Sequence, residues 1–372
     1  MTAGQRPPQR KTFPPDSKNP AFGGVLTQGT EARPFLENPC FVIKFKAPHQ
    51  GRQASFMQNH LSSARLATVE AFFQTRTKAD LIGCYSWCQA VGASLLPILG
   101  DYEVSLRNAL HRGLSQYYGT IDSFEWMFKT KPNPAKVSNP NAPDLAWHSM
   151  TPRMQGDIED VADKVRRRSR GRAPTPDDIV SQLSFGFWEH LIAGLVHKAH
   201  PADMQRRVLS LAFPQGPAMG TTAHGDRAFV DQLKGLLYQL RDIRNRIGHH
   251  DQLWKTAEFD LHGNRGFIPR RPRHTLISLH KFLDRISWMA SWIDQEISDH
   301  MRNSDHWWTL QALLSQQALA VYRKNEGKAG SFEAVLRLAP CHDVPAWPDM
   351  SSGIPERALQ LQHRVIVRQF HF

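Results

Sequence analysis

Leu233, Leu236, Leu237, Leu240, Ile243 and Ile247 recur at three- and four-residue spacing, a pattern that buries together only along one face of an amphipathic α-helix. The periodicity predicts a helix over about Asp226 to His250 whose last turns read Arg241-Asp-Ile-Arg244-Asn245-Arg246-Ile-Gly248-His249-His250. Asn245 and His249 are four apart and share a helix face, and Arg244 lies one position round from Asn245. A fixed cation beside an imidazole that titrates near neutral pH suits cleavage of a phosphodiester. The guanidinium holds the phosphate and takes up charge developing on it, and the ring moves protons. Arg244 and His249 are separated by about 140° on an ideal helix. They can meet one phosphate only if the helix ends or distorts at Gly248, or if two copies of the motif come together. The competing reading is a plain helix terminus, with Gly248 ending the helix and the histidines bonding its last carbonyls.

The rest of the chain is read as mainly α. Residues 1–50 form a basic, Pro-rich arm followed by the short β-like run Phe41-Val-Ile-Lys-Phe45. Helical sequence begins near Gln58 and runs to about Gln74. A long apolar helix follows from about Lys78 to Tyr118, with Pro97 and Gly100 expected to kink or break it. Lys131 to Pro152 reads as a loop. Thr175-Pro176-Asp177-Asp178 is an N-cap with proline at the first helical position, opening a helix that is expected to end near His200. Further helices are expected over about Thr275 to His300 and Trp307 to Arg323, and a terminal strand over Ala358 to Phe372. The domain division is 1–50, 51–302 and 303–372. The fold class is a mainly α bundle with small β-containing N- and C-terminal extensions.

An excess of 46 Lys+Arg over 34 Asp+Glu gives a net charge of +12, which favours a polyanionic partner. The densest cationic run is Lys164-Val-Arg166-Arg167-Arg168-Ser-Arg170-Gly-Arg172; it either contacts an RNA backbone or forms a solvated basic loop. Cys40, Cys84, Cys88 and Cys341 are too few and too scattered for a disulfide framework, and Cys84 and Cys88 are expected to be small buried hydrophobes. No metal-ligand cluster and no phosphate-cradling glycine loop is legible, so neither a metal nor a nucleotide cofactor is expected. No signal peptide opens the chain. Its longest apolar stretch, Ala90 to Leu99, is short of the ~20 residues of a membrane span, so a cytoplasmic protein without membrane contact is expected.

Three pieces occur in order. Tyr85-Ser-Trp87 leads to Glu103-Val-Ser-Leu-Arg107-Asn108-Ala-Leu; Ser184-Phe-Gly-Phe-Trp-Glu-His-Leu191 follows; Arg244-Asn-Arg-Ile-Gly-His-His250 closes the set. Together they resemble the Abi-like (abortive infection) proteins of bacteria, within the HEPN superfamily of helical ribonucleases, over roughly residues 55–300. Cys88 stands where that family usually has Asn, and Asp251 where it often has Glu. The resemblance implies a HEPN-type bundle, a homodimer with both motifs lining one cleft, and a metal-independent endoribonuclease of antiphage defence or toxin type. It further implies attack of a ribose 2′-OH on the adjacent phosphorus. His249 would act as base or leaving-group acid, Arg244 would stabilise the phosphorane, and Asn245 would position the ring or the phosphate. The alternative is a non-catalytic protein that holds a structured small RNA.

Four further residues are candidates for supporting roles. His250 either joins the site or caps the helix. Glu103, Arg107 and Asn108, with His111, form a second polar group on an apolar helix, expected to link at i, i+4. They are either helix-surface polar groups or a buttress for the motif helix with Asn108 near the phosphate. Phe185, Phe187 and Trp188 are expected in the core rather than stacked on bases.

Overall fold

The structure, a computed structural model, describes residues 61–338 apart from 122, 124, 129, 132–136, 142–144, 147–151, 198–199, 252 and 329. All of these lie in the second of two units into which the chain divides, His49–Phe372. The basic arm, the run at Phe41, Cys40, Cys341 and the strand expected over Ala358 to Phe372 lie outside the described residues.

The fold is mainly α, as the periodicities required. Helix α1 (Ser63–Phe73) leads to α2 (Lys78–Tyr118), a 41-residue helix around which the others are arranged. The Thr77 hydroxyl caps it by accepting the Asp80 N–H at 3.1 Å. The expected break at Pro97 and Gly100 does not occur. Pro97 has no N–H for the Ala93 carbonyl, but Ala93 is exposed, so water can satisfy that oxygen. The opposite face holds both halves in line, with Val91, Leu95, Ile98 and Leu99 buried in the core. By length and composition α2 is also long and apolar enough to cross a membrane, its best 18-residue window having a mean hydropathy of 1.3, yet 61% of that window is buried inside the protein. The apolar stretch is therefore longer than Ala90 to Leu99, and most of it is interior.

Next come a single turn, α3 (Glu125–Phe128), and the strands β1 (Thr130–Lys131) and β2 (Leu145–Ala146), which pair antiparallel with Thr130 opposite Ala146. The region expected as loop thus contains a two-residue ladder. Helix α4 (Pro152–Arg168) takes in the start of the cationic run. Lys164 to Arg168 are its last turn, not a loop, and basic side chains there suit the negative end of the helix dipole.

Several apolar stripes that read as single helices are pairs, each cut by a capping residue. The stretch after Thr175 is α5 (Pro176–Val180), opened by a capping box between Thr175 and Asp178, then α6 (Phe185–Gly194), capped by the Ser184 hydroxyl on the Phe187 N–H at 3.2 Å. Helix α7 (Met204–Ala212) and the motif helix α8 (Arg227–Gly248) follow. The expected helix over Thr275 to His300 is α9 (Pro272–Ile293) and α10 (Gln295–Arg302), divided at Asp294. That residue is extended and accepts the Glu296 N–H at 2.9 Å. Trp307 to Arg323 is likewise α11 (Asp305–Leu313) and α12 (Gln316–Lys324), divided where the Ser315 hydroxyl caps Ala318 at 3.0 Å. A side chain that bonds the backbone locally competes with helix continuation, and in each case the competition outweighs periodicity. Helix α13 (Ser331–Leu338) is the last described element.

Residues on both sides of position 302 share one core. Trp87 donates from Nε1 to the Leu313 carbonyl at 2.9 Å, and Arg323 Nη2 meets Asp80 Oδ2 at 2.7 Å. Burial pushes the Asp80 carboxyl up, but the bonds from Arg323 and the Arg76 N–H more than reverse this and leave it below its ordinary 3.8. Gly83 permits a close approach here: an added Cβ would collide with the Tyr322 carbonyl oxygen and stand 2.7 Å from Arg323 Cα.

Candidate nucleic-acid site at the end of helix α8

Helix α8 is held along its length before it presents the motif. Its stripe from Phe229 through Leu233, Leu236, Leu237, Leu240 and Ile243 is fully buried. A loop crosses it at Gly235, where Gly263, at φ +80°, packs so closely on the Gly235 and Leu236 backbone that neither glycine has room for a Cβ. Gln232 and Gln239 donate from α8 to the Leu261 and Gly263 carbonyls, each at 2.9 Å. Arg265 then returns to Asp242 at 3.1 Å, a carboxylate it shares with Arg246, also at 3.1 Å.

The helix ends in a Schellman cap. His249 is the cap residue, His250 sits in the left-handed region at φ +52°, and its N–H bonds the Ile247 carbonyl at 2.9 Å. The Asp251 N–H bonds the Arg246 carbonyl at 2.8 Å, completing the motif. Gly248 is the last helical residue, not the left-handed terminator its identity suggested. The helix therefore runs through Gly248, the His249 N–H still bonds the Asn245 carbonyl at 2.9 Å, and His249 itself, at φ −93° and ψ 5°, leaves the helical region. The offset of about 140° between Arg244 and His249 persists to the cap.

Arg244, Asn245 and His249 are all exposed. Arg244 Nε lies 3.8 Å from Glu103 Oε2, which binds the motif helix to α2. Half-exposed pairs of this length contribute about 0–1 kcal/mol, so this contact orients more than it stabilises. Among the described residues, neither the Asn245 amide nor the His249 ring makes a hydrogen bond. Of the two readings of His250, the cap is seen in its backbone, while its ring Nδ1 meets Gln89 Oε1 at 2.9 Å rather than Arg244, Asn245 or His249.

The expected i, i+4 chain from Glu103 through Arg107 to His111 does not form. Glu103 turns to Arg244, Arg107 Nη1 donates to the Ser181 carbonyl at 3.1 Å, and His111 Nδ1 accepts from buried Trp126 Nε1 at 2.9 Å. Asn108 is exposed on α2, one turn and a residue beyond Glu103. Phe185, Phe187 and Trp188 are in the core, at 6%, 3% and 0% exposure, as expected, and the buried Cys84 and Cys88 match their reading too.

Helix α6 meets α8 through a residue outside the motif. Gly186 leaves room for the Arg241 guanidinium, which pairs with Glu189 at 3.1 Å. Burial pushes the Glu189 carboxyl above its ordinary value, and Arg241 only partly offsets this. Of the cationic run, Arg166 pairs with Asp163 and Arg172 with Asp178 at 2.9 Å, while Arg167 bonds the Asp163 carbonyl at 3.3 Å. Arg168 and Arg170 are exposed, with Arg170 at φ +53° in the turn that ends α4. Among the described residues the run reaches the motif indirectly, from α5 through Ser181 and Arg107 to the face of α2 that carries Glu103.

Local spacing could not reveal two residues at the end of α8. Arg65 donates from Nη1 to the His250 carbonyl at 2.6 Å across 185 positions, and Gln89 reaches His250 across 161. Among the described residues no group of three or more His, Cys, Asp or Glu side chains could hold a metal ion. No family model, curated protein or solved structure matches the chain.

Proposed function

We propose that the chain is a metal-independent endoribonuclease of the Abi-like HEPN type, acting in bacterial antiphage defence or as a toxin, in the cytoplasm and as a homodimer. One observation carries the reading: Glu103 on α2 meets Arg244, and α6 with its Gly186 packs on the same helix through Arg241. Three sequence pieces spread between Tyr85 and His250 thus meet at the motif helix. Beside them an exposed cation and an exposed imidazole stand at one helix end.

In this reading the 2′-oxygen attacks phosphorus and the 5′-oxygen leaves, giving a 2′,3′-cyclic phosphate and a 5′-OH. His249 accepts the 2′ proton or supplies one to the leaving oxygen, and Arg244 takes up charge on the phosphorane. Asn245, with no bond to the ring, is better suited to a phosphate oxygen than to orienting His249.

The persistent angular offset calls for a second copy. The exposed face of α2 beside Glu103 is apolar, with Leu96 at 43% and Val104 at 41% exposure around Ala93 and Gly100. A partner's same face would cover that stripe and bring both motifs into one cleft. Leu96→Glu combined with Val104→Glu should give a monomer that no longer cleaves; a wild-type monomer with full activity would refute the dimer.

The deciding assay incubates purified protein with RNA in a chelator and maps the ends produced. Cleavage with cyclic-phosphate ends, reduced about 100-fold or more in folded His249→Ala and Arg244→Ala proteins, is expected. Retention of RNA without cleavage would favour the small-RNA binder, and neither activity would leave the motif as a structural cap.

A further inference from the structure

The end of α8 borders a cleft of about 290 Å³ that none of the roles above uses. Helix α1 contributes Arg65, α2 contributes Tyr85 and Gln89, and the chain after α8 contributes His250, Asp251 and Trp254. Its floor is aromatic. Trp254 is 4% exposed and packs against Phe72 and Phe73 at ring separations of 6.2 and 5.8 Å, and half-buried Tyr85 lies beside it on the same core.

The rim is polar, and much of its bonding capacity is free. Arg65 places Nη1 on the His250 carbonyl, while its Nε and Nη2 meet no partner among the described residues. Gln89 accepts the His250 Nδ1 proton at Oε1, and its two amide N–H donors are likewise free there. The Tyr85 hydroxyl and the Asp251 carboxylate add a second donor–acceptor pair. His250 is fixed in a left-handed conformation that an L-residue adopts at a cost, and in it the carbonyl meets Arg65 and the ring meets Gln89. A flat apolar floor with an amide, a phenol and a guanidinium around it is the chemistry that receives a heterocyclic base and its phosphate.

Position makes the source specific. His249 and His250 are adjacent, so their Cα atoms are about 3.8 Å apart. An RNA strand whose scissile phosphate lies at His249 therefore has the mouth of this cleft within reach of a neighbouring nucleotide. We infer that the cleft is a nucleobase subsite: it takes the base next to the scissile phosphate of single-stranded RNA, stacked on Tyr85 beside Trp254 and read at its edge by Gln89, with Arg65 on the adjoining phosphate. The inference rests on the endoribonuclease reading for what brings RNA to the motif, but binding can be measured without cleavage.

The experiment uses the full-length His249→Ala protein and short single-stranded oligoribonucleotides of A, C, G or U. Affinity is measured by fluorescence anisotropy, and ultraviolet crosslinks are mapped by mass spectrometry. A preference for one base and a crosslink at Tyr85 are expected. Adding Tyr85→Leu should weaken binding about tenfold, as loss of one stacked base does. Gln89→Ala, at a half-buried position and with the loss of one bond to His250, should flatten the preference and lower the thermal midpoint only slightly. Unchanged affinity and preference in both variants would overturn the subsite and leave the nuclease reading intact. Base-selective binding lost in both, in a protein whose wild type cleaves nothing, would support the subsite and sink the nuclease. A crosslink at Tyr85 from free nucleoside monophosphates but not from oligonucleotides would overturn the proposal in favour of a small-nucleotide ligand.

Discussion

Gly83→Ala should destabilise the protein, although alanine is the better helix former. Gly83 lies in the second turn of α2, where an added Cβ would stand 2.7 Å from Arg323 Cα and 2.8 Å from the Tyr322 carbonyl carbon, all of it backbone. Carbon atoms in comfortable contact are about 3.5–4.0 Å apart, so α12 must retreat by roughly 1 Å. Overpacking of this kind costs about 1–3 kcal/mol, against a propensity gain of about 1 kcal/mol for replacing glycine within a helix. The same retreat stretches the Asp80–Arg323 pair one turn earlier, so a net loss of about 1–2 kcal/mol is expected. Gly156 in α4 is the internal control, because a Cβ there meets nothing within 4 Å. Gly156→Ala should gain about 0.5–1 kcal/mol. Urea unfolding at one protein concentration, compared at a common slope, gives both signs. If Gly83→Ala were as stable as the wild type while Gly156→Ala gained, the close packing of α2 on α12 would be wrong.

Asp80→Asn should cost about 1.5 kcal/mol at neutral pH, toward the low end for a charged hydrogen bond because the Arg323 side chain keeps 32% of its surface exposed. The lowered carboxyl means this contribution is complete above pH 3.8 and is lost as pH falls through the folded-state value; the wild type and Asp80→Asn should converge in acid unfolding only below 3.8. At His250, φ +52° predicts the stability order Gly at least equal to His, with Val lower by about 1–2 kcal/mol; a Val variant melting with the Gly variant would contradict the left-handed cap. Replacing Arg166, Arg167 and Arg168 with Gln should lower the logarithmic salt slope of RNA binding by about 1–2 while sparing the rate at saturating RNA, and an unchanged slope would remove the run from the interface.

What the sequence determined by itself is the set of buried faces. The stripe from Leu233 to Ile247, the apolar run of α2 and the placement of Phe187 and Trp188 in the core all follow from spacing, because hydrophobic burial is read from residue type and period alone. The N-cap at Thr175 and the juxtaposition of Arg244, Asn245 and His249 near one helix end were legible for the same local reason. Where the prediction erred, a local bond competed with the period. Ser184, Asp294 and Ser315 each cap a new helix inside what reads as a continuous stripe, and α2 continues through Pro97, four residues after exposed Ala93. Only the tertiary structure decided the partners. Glu103 pairs with Arg244 instead of Arg107, and Arg65 and Gln89 converge on His250 from far along the chain. Helix periodicity fixes which way a side chain points, but which helix it meets is set by packing around α2, and residues 185 positions apart carry no local trace of that choice.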